Sequence, residues 1–521
     1  MQRKIFYMFP ALISAVLVLT GLLYGYSQVI VFFKTGAESA EMMLPDSDKV
    51  RLQYRPQLEW VSSHQTRGRT LEKATIEKVL DDYVAASFYL FENNKADRSI
   101  GLKDYYTKDT RAKLVQFASL AEKEDHQYEG TTISHRLTPR FYSADGTLMV
   151  LSDEQISYHR SERPGEVYHY YDTSRYEVML LLEDNYWRIR HKVRQSYRPS
   201  AAPLADKESA IQIKSGQFME GGQPFTLKAM NYYPQDHPWN EMWQNFDAID
   251  FSGDFKLIRS LGFNAIRIFV QYDEFGADQV SKERTAQLQQ LLDEAAAAEL
   301  KVIVTLFDFF LGYDLNTWTL SDQHLRGVVD VMKDHPALFA WDLKNEPDLD
   351  FEQSGELEVM EWLRFIALRL KTYDPHHFLT IGWSQPEHAA RLASVIDFRS
   401  FHFYRDPQEL ATFLTSQSAT AQPLFVGEMG THSFNGWWFP FRKSQSDQQE
   451  YVADLMSVIN QHEVSYGFWT LYDFRNVPSN VAGSVPWRRN PQKHFGLIDS
   501  KGRQKQVYRT ILQFNCDEEK Y

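Results

Sequence analysis

The sequence predicts an α/β protein in which a (β/α)8 TIM barrel follows a smaller α+β domain and an amino-terminal transmembrane helix. From residue 211 onward, short apolar runs alternate with helical patterns eight times, and about 300 residues suit a barrel of eight strand–helix units. Residues 67–198 carry helical patterns first and extended patterns afterwards, which is typical of an α+β domain. Residues 5–33 form a long apolar run. These patterns predict three structural parts joined by linkers.

Composition and charge narrow the class of function. A chain of 521 residues exceeds one ordinary domain. The net charge of −13 argues against a nucleic-acid partner, because no excess of basic side chains is available to neutralise phosphates. The single cysteine, Cys516, excludes an intramolecular disulfide and a cysteine-based zinc site. Composition therefore favours a protein that acts on something other than nucleic acid and needs no disulfide.

The amino terminus predicts membrane attachment. The run at 5–33 exceeds the roughly 20 residues that cross a bilayer. Arg3 and Lys4 precede it, which places the amino terminus in the cytoplasm. The alternative is a cleaved signal peptide with an exit at residues 37–40, but the apolar core of such a peptide is roughly 7–15 residues. Both alternatives place the rest of the chain outside the cytoplasm, in the periplasm or at the cell surface.

The segment that follows the juxtamembrane region predicts helices and then a curved antiparallel sheet. Apolar residues recur at helical spacing over 71–91 and again over 114–120. Turn signals at 145–146 and 184–185 separate extended runs, and the last run carries Trp187. This order resembles the nuclear-transport-factor-two-like (SnoaL-like) cone fold. The resemblance implies a domain that is able to enclose a pocket.

The domain boundaries follow from these patterns and from prolines that mark linkers. The predicted segments are 1–34 (cytoplasmic tip and transmembrane anchor), 35–66 (juxtamembrane linker), 67–198 (α+β domain), 199–210 (linker) and 211–521 (barrel). The predicted barrel strands lie at 227–232, 264–269, 301–306, 338–347, 379–382, 400–403, 424–426 and 466–471. No glycine-rich loop follows the first strand, so a dinucleotide-binding fold is disfavoured.

Two glutamates stand at the ends of two predicted barrel strands. Glu346 ends strand four, where Pro347 cannot donate to a sheet and stops the strand. Glu428 ends strand seven in the same way. The carboxyl ends of barrel strands form the catalytic face, and a pair of carboxylates there is the minimum equipment of a retaining glycoside hydrolase.

Four motifs at these strand ends, together with Arg267 on strand two, resemble one group of enzymes. The motifs are Asn345-Glu346-Pro347, His402-x-Tyr404, Gly427-Glu428 and Trp469. They resemble clan A glycoside hydrolases, particularly glycoside hydrolase family 5, which comprises cellulases and mannanases. The resemblance covers about 211–515. It implies a retaining double-displacement reaction on a β-linked polysaccharide of the glucan or mannan type, without a cofactor or a metal.

The resemblance also implies a role for each matching residue. Glu346 is the expected acid/base and Glu428 the expected nucleophile. The other expected roles are a hydrogen bond to the sugar 2-hydroxyl from Asn345, orientation of the nucleophile by Tyr404 and Arg267, support of the acid/base by His402, and a stacking surface from Trp469.

Two departures from the family pattern affect the expected substrate contacts. The family usually carries a histidine after strand three, whereas Asp308 lies in this stretch and is a candidate sugar contact. The loop after strand one opens with Asn231-Tyr-Tyr-Pro, similar to glucan-remodelling transglycosylases of the same clan, so Asn231 and Tyr232 are expected to contact substrate. Trp437 and Trp438 are expected to wall the acceptor side.

Two alternatives to hydrolysis remain open at the sequence level. In a β-glucan transglycosylase of the same clan, a sugar hydroxyl replaces water as the acceptor. In a non-catalytic scaffold for polysaccharide assembly, the barrel binds glycan without cleaving it. Intact Glu346 and Glu428 argue against the scaffold.

Overall fold

The computed structural model describes residues 50, 53–62, 66–92, 101–163, 166–199, 211–417, 421–436, 441–482 and 485–516. The predicted anchor at 1–34, most of the predicted linkers, and Trp437 and Trp438 lie outside these residues. None of the helices within the described ranges combines the length and the apolar character that crossing a bilayer requires.

In the amino-terminal part, two short strands at Gln57–Trp60 and Arg67–Gly68 precede three helices and a long antiparallel sheet. The helices are Lys73–Glu92, Leu102–Tyr105 and Lys108–Lys123, and the strands are Gln127–Tyr142, Leu148–Arg163, Glu166–Glu183 and Tyr186–Pro199. Asp184 and Asn185 both adopt positive φ, as a two-residue hairpin turn requires, and join the last two strands. The longest helix packs on the sheet through buried residues that include Val79, Tyr83 and Trp187.

The predicted juxtamembrane linker is wrong at its carboxyl-terminal end. Gln57–Trp60 form a strand that pairs in parallel with Gln127–Tyr142. Tyr54 is buried, and its hydroxyl donates to the Thr132 carbonyl at 2.9 Å. The strand has only four residues, and its two exposed residues stand side by side between two half-buried ones, so no period of two marks it in the sequence.

Contacts between this part and the barrel come from both the edge strand and the sheet. The Arg55 guanidinium lies 2.5 Å from an Asp278 carboxylate oxygen, and the Gln57 amide donates to Asp322 at 3.0 Å. The Tyr158 ring packs against Trp318 with 4.7 Å between centroids. The sheet therefore rests against the barrel wall that follows strand three.

Eight parallel strands close into a barrel, which confirms the predicted (β/α)8 fold. Each strand pairs with the next along the chain, and the eighth pairs with the first, so the sheet has no free edge. In order, barrel strands one to eight are Lys228–Asn231, Ala265–Gln271, Lys301–Asp308, Leu338–Asn345, Phe378–Trp383, Arg399–Phe403, Leu424–Met429 and Ser465–Phe468.

Helices surround the barrel and cover the outward faces of its strands. They are Asn240–Gln244, Phe251–Ser260, Lys282–Ala297, Trp318–Met332, Phe351–Ser354, Glu356–Tyr373, Pro407–Ser416, Gln445–Gln461, Ser479–Ala482, Pro486–Gln492 and Gln506–Cys516. Strand two is buried at every position, because helices pack on one side of it and the barrel interior on the other.

A three-stranded sheet closes the amino-terminal end of the barrel. It consists of Ile211–Lys214, Gln217–Glu220 and Gln223–Pro224. Phe218 inserts edge-on against Phe339, Phe378 and Phe398, which lie at or beside the starts of strands four, five and six. This apolar plug leaves the carboxyl-terminal end as the open face of the barrel.

Candidate active site

Glu346 leaves strand four through a left-handed backbone turn. Its φ of 47° and ψ of 50° are rare for a residue with a side chain, and such a conformation costs about 1–3 kcal/mol. Its N–H donates to the Gly382 carbonyl on strand five at 2.7 Å, and Pro347 begins the 3-10 turn that follows. The turn holds the Glu346 side chain, which is 25% exposed, over the open end of the barrel.

Glu428 lies at the end of strand seven with both carboxylate oxygens engaged. Arg267 Nη1 donates to Oε1 at 2.6 Å, and the Tyr404 hydroxyl donates to Oε2 at 2.8 Å. The residue is buried, so these two hydrogen bonds fix its orientation. Tyr404 is 41% exposed as a whole, but loss of hydration at its hydroxyl, with the Glu428 carboxylate next to it, raises the pKa of that hydroxyl above its ordinary value, so Tyr404 remains a donor.

The two glutamates face each other across His402. One oxygen of Glu346, one of Glu428 and a ring nitrogen of His402 all lie within 4.8 Å of one another. His402 Nδ1 is 2.8 Å from Glu346 Oε1 and 3.7 Å from Glu428 Oε2. Burial opposes the charged imidazolium, but the carboxylates of Glu428 and Glu346 outweigh it and raise the pKa of His402.

These three side chains also have the donor atoms of a metal site, but their neighbour disfavours a cation. The Arg267 guanidinium already contacts Glu428 at 2.6 Å and repels a second positive charge there. Burial would lower the pKa of Arg267, but Asp342 and Glu428 raise it above its ordinary value, so the guanidinium stays charged. The arrangement therefore suits a fixed carboxylate nucleophile better than a metal ligand.

All five N–H groups of Arg267 have acceptors. Two donate to Asp342 Oδ2 at 2.9 and 2.7 Å, and the others donate to Asn231, Glu428 and Asn345 at 3.0, 2.6 and 2.8 Å. This saturated fork fixes the positions of strands one, two, four and seven relative to one another. Arg267 thus aligns the Glu428 carboxylate with Asn345, the residue before Glu346.

Two glycines provide the space that this network occupies. A Cβ on Gly382 would lie 2.9 Å from Asp342 Oδ2 and 3.0 Å from Arg267 Nη2. A Cβ on Gly467 would lie 2.2 Å from the Gly427 carbonyl oxygen and 3.0 Å from Asn231 Nδ2. Any larger side chain at either position would displace the charged cluster at the centre of the barrel.

Asn231 and Tyr232, which the sequence predicts to contact substrate, do not line the cleft. Asn231 is fully buried below the cleft, where its oxygen accepts from Arg267 and its amide donates to the Gly427 carbonyl at 2.9 Å. Tyr232 is turned outward, and its hydroxyl donates to Asp254 at 2.7 Å. Side chains alternate along an extended chain, so the next residue, Tyr233, is the one that faces the cleft.

The cleft at the open end of the barrel has a volume of about 750 Å³. Of the expected residues, it is lined by Asp308, Asn345, Glu346, Tyr404, Glu428 and Trp469. Trp469 is only 7% exposed and packs near Tyr233 and Trp239, with ring centroids 6.2 and 6.1 Å away. Arg267 and His402 lie beneath this surface and act on it through the glutamates.

Sequence reasoning missed several residues of the cleft wall. They include Tyr233, Phe269, Lys344, Asp350, Thr431, His432, Lys443, Gln492 and Phe495. Tyr233 and Trp239 stand in the aromatic loop after strand one, so the aromatic content of that loop was the available signal. Lys443 and Gln492 lie far along their loops from any strand end, and nothing in their local sequence marks them.

Asp308 ends strand three and is almost wholly buried in the cleft floor. The Gln271 amide donates to Asp308 Oδ2 at 3.4 Å, while the neighbouring Lys344 ammonium pairs with Asp350 at 3.2 Å. Burial raises the pKa of Asp308 to about 6, although the positive charges of Lys344 and Arg267 oppose this rise. The carboxyl group therefore exchanges its proton close to neutral pH.

We expect Asp308→Asn to stabilise the protein at about pH 8 and to have little effect near pH 4. The folded-state pKa lies above the ordinary value, so ionisation of Asp308 lowers the free energy of unfolding as pH rises through about 4 to 6. Above about pH 6, the uncharged amide should therefore raise the free energy of unfolding by up to about 3 kcal/mol. Urea denaturation at both pH values measures it, with exposed Asp314→Asn as control. An equal effect at both pH values would contradict the assignment.

The chain resembles known glycoside hydrolases in sequence. Residues 219–475 match the family model described as cellulase (glycosyl hydrolase family 5). Mannan endo-1,4-beta-mannosidase 3 of Arabidopsis thaliana is 23% identical over 278 residues, which cover 39% of this chain and 63% of that protein. A beta-glucuronidase of Chlorocebus aethiops is 23% identical over 322 residues, which cover 56% of this chain and 46% of that protein.

Among solved structures, an exo-beta-1,4-mannosidase from an Opitutaceae bacterium superposes with a TM-score of 0.49 and 20% identity, covering 59% of this chain and 62% of that one. This chain spans between 46% and 63% of the length of the two curated relatives. The family-model match identifies residues 219–475 as a glycoside hydrolase domain similar to family 5.

Proposed function

We propose that this protein is a retaining glycoside hydrolase with Glu346 as acid/base and Glu428 as nucleophile. The observation that carries the proposal is the separation of the two carboxylates. One oxygen of Glu346 and one of Glu428 lie within 4.8 Å of each other. Carboxyl groups are about 5–5.5 Å apart in retaining enzymes, whereas inverting enzymes need about 6.5–9.5 Å to accommodate a water molecule between them. The short separation therefore supports retention.

In the first step, Glu428 attacks the anomeric carbon while Glu346 gives its proton to the leaving glycosidic oxygen. The carbon–oxygen bond to the leaving sugar breaks, and an ester forms between the sugar and Glu428. Arg267 and Tyr404 hold the attacking carboxylate in one orientation by bonds of 2.6 and 2.8 Å. The reaction thus starts from a preorganised nucleophile, and little reorganisation is needed at the transition state.

In the second step, Glu346 acts as a base. It takes a proton from water, the resulting oxygen attacks the anomeric carbon, and the ester to Glu428 breaks. His402 Nδ1, 2.8 Å from Glu346 Oε1, holds the carboxylate in place for both steps. Asn345, which is fixed by Arg267 at 2.8 Å, is placed to bind the hydroxyl next to the anomeric carbon.

The proposed substrate is a β-linked polysaccharide of the glucan or mannan type. Curated relatives that support this are named mannan endo-1,4-beta-mannosidase. The cleft also suits a sugar chain, because it is open, about 750 Å³ in volume, and combines aromatic rings with carboxylates.

The stereochemistry of the product tests the proposal. Proton NMR during early hydrolysis of a β-linked oligosaccharide should show the β-anomer of the new reducing end first, with the α-anomer appearing only by mutarotation. Initial release of the α-anomer would mean inversion and would rule out Glu428 as a nucleophile.

A further inference from the structure

Two segments that follow barrel strands seven and eight have only basic charged side chains, since the one carboxylate closer to strand eight, Asp473, is paired with Lys505 at 2.9 Å. Residues 430–443 and 474–494 contain no Asp or Glu, but they contain six Lys and Arg residues in a chain whose net charge is −13. The six are Arg442, Lys443, Arg475, Arg488, Arg489 and Lys493. Such a local excess in an acidic protein indicates a surface that meets an anion.

The two loops contact each other and form one wall of the cleft. The Ser433 N–H donates to the His494 carbonyl at 2.9 Å, and the Phe434 and His494 rings lie 5.1 Å apart. His432 and Lys443 from the first loop and Gln492 from the second line the cleft. We call this surface the basic wall, meaning the described residues of 430–443 and 474–494.

Lys443 is the cation of the basic wall that lines the cleft, and among the described residues it forms no ion pair within 4.0 Å. Its ammonium donates to Thr431 Oγ1 at 2.7 Å and lies 5.0 Å from the centre of the Tyr451 ring. The charge of Asp447 attracts it from beyond ion-pair distance, and the Asp447 carboxylate accepts hydrogen bonds from Ser444 instead. The other lysine of the cleft, Lys344, differs because it pairs with Asp350 at 3.2 Å.

The rest of the basic wall does not neutralise this charge. Arg489 donates to the Val477 carbonyl at 2.8 Å and to the Asn476 side chain, both neutral. Burial, together with the positive charges of Lys443, His494 and Lys505, lowers the pKa of His432 to about 4. The half-buried Lys443 ammonium has lost part of its hydration, and Asp447 compensates only from beyond ion-pair distance, so a ligand anion in the cleft would supply a closer counter-charge.

We infer that the polysaccharide carries anionic groups, foremost uronic-acid carboxylates, and that Lys443 binds one of them in the subsite beside strand seven. Two of the three ammonium protons remain free for this contact, since one is used by Thr431. This inference rests on the proposed function, because the anionic sugar lies in the same cleft. Relatives named beta-glucuronidase are consistent with a carboxylated sugar.

A second source of the same negative charge is a sulfate ester on the sugar. A carboxylate lies in the ring substituent of a uronic acid, whereas a sulfate ester projects farther from the ring and spreads its charge over more oxygens. Pairs of soluble polymers with one backbone separate these sources: carboxymethyl cellulose, cellulose sulfate and neutral hydroxyethyl cellulose, together with polymannuronate and mannan.

The test compares wild type, Lys443→Gln and Lys256→Gln. Lys256 is an exposed lysine on the helix Phe251–Ser260 and does not line the cleft, so its replacement removes the same charge elsewhere on the protein. For each protein, initial rates and affinity electrophoresis at about 0.1 M salt are measured on both kinds of polymer. The rate and the affinity on the anionic polymer are then divided by those on the neutral polymer. Arg488→Gln, which alters an exposed part of the basic wall, serves as a second variant if Lys443→Gln folds poorly.

We expect wild type and Lys256→Gln to prefer the carboxylated polymer over the neutral polymer of the same backbone by about tenfold or more. Lys443→Gln should lose most of this preference. Raising the salt to about 0.5 M should shrink it, because mobile ions screen exposed charges. A greater preference for the sulfated polymer would assign the site to sulfate esters and overturn the uronic-acid assignment.

Equal ratios in all three proteins would overturn the inference and leave the proposed function intact. Conversely, a charge preference in binding that depends on Lys443, without release of sugar from any polymer, would support the inference and refute the proposed hydrolysis. The two failures are therefore distinguishable in one set of measurements.

Discussion

Replacing Glu428 by glutamine should lower turnover by about 10⁴-fold or more while the protein stays folded. The amide has no negative charge and cannot form the glycosyl ester, so the double displacement loses its first step. Its size matches the carboxylate, and its oxygen can still accept a hydrogen bond from Arg267 or Tyr404. Initial rates on oligosaccharides, with circular dichroism as a check of folding, measure the effect.

A matched control for this variant is Glu450→Gln. Glu450 is exposed on the helix Gln445–Gln461, so the same chemical change occurs outside the cleft. We expect activity within about twofold of wild type for this control, as for most surface substitutions. Near-normal hydrolysis by Glu428→Gln would refute its assignment as nucleophile.

Replacing Glu346 by alanine should give losses that depend on the leaving group. Oligosaccharides, whose leaving alkoxide needs a proton, should lose about 10²–10⁴-fold in rate. Aryl glycosides with acidic phenol leaving groups need no proton in the first step and should form the glycosyl-enzyme at a much less reduced rate. Added azide should then accelerate turnover, because a small anion can attack the ester without a base.

The control for the acid/base assignment is the comparison of how much rate Glu346→Ala loses on substrates with poor and with good leaving groups. Equal losses on oligosaccharides and on activated aryl glycosides, with no effect of azide, would show that Glu346 supports the fold or binds substrate and does not transfer a proton. His402→Gln provides a comparison, because it removes the partner 2.8 Å from Glu346 Oε1 but leaves the carboxylate.

The barrel and its two glutamates could be predicted from sequence because each depends on local signals. Parallel strands are buried on both faces, so they appear as apolar runs, and a carboxylate at the end of such a run marks the catalytic face. Glu346 and Glu428 satisfy this pattern directly. Their placement within 4.8 Å of each other follows from the closure of the barrel and needs no local signal.

Other features depend on tertiary partners that the sequence does not reveal. The helix Trp318–Met332 has Asp322 and His324 on its buried side, which interrupts the apolar stripe of an amphipathic helix. Asp322 is buried because Arg369 donates to it at 2.7 Å from the neighbouring helix. No spacing rule connects these two residues, so the bounds and the buried side of this helix cannot be predicted from its sequence.

The cleft is lined by Tyr233 and not by the predicted Tyr232, and the reason is again a set of tertiary partners. Along an extended chain, a shift of one residue turns a side chain to the opposite face, and the loop after strand one is aromatic at both positions. Asp254 receives the Tyr232 hydroxyl at 2.7 Å, and Gln271 donates to the Tyr233 hydroxyl at 3.0 Å. These distant partners decide the orientation of the two rings.

The most direct test of the central claim is to trap the glycosyl-enzyme. Incubation with a 2-deoxy-2-fluoro β-glycoside that carries an activated leaving group should add one fluorosugar to the protein, and peptide mass spectrometry should locate it on Glu428. Glu428→Gln should remain unlabelled. A fluorosugar on any other residue, or turnover of substrate without any covalent adduct, would contradict a double displacement through Glu428.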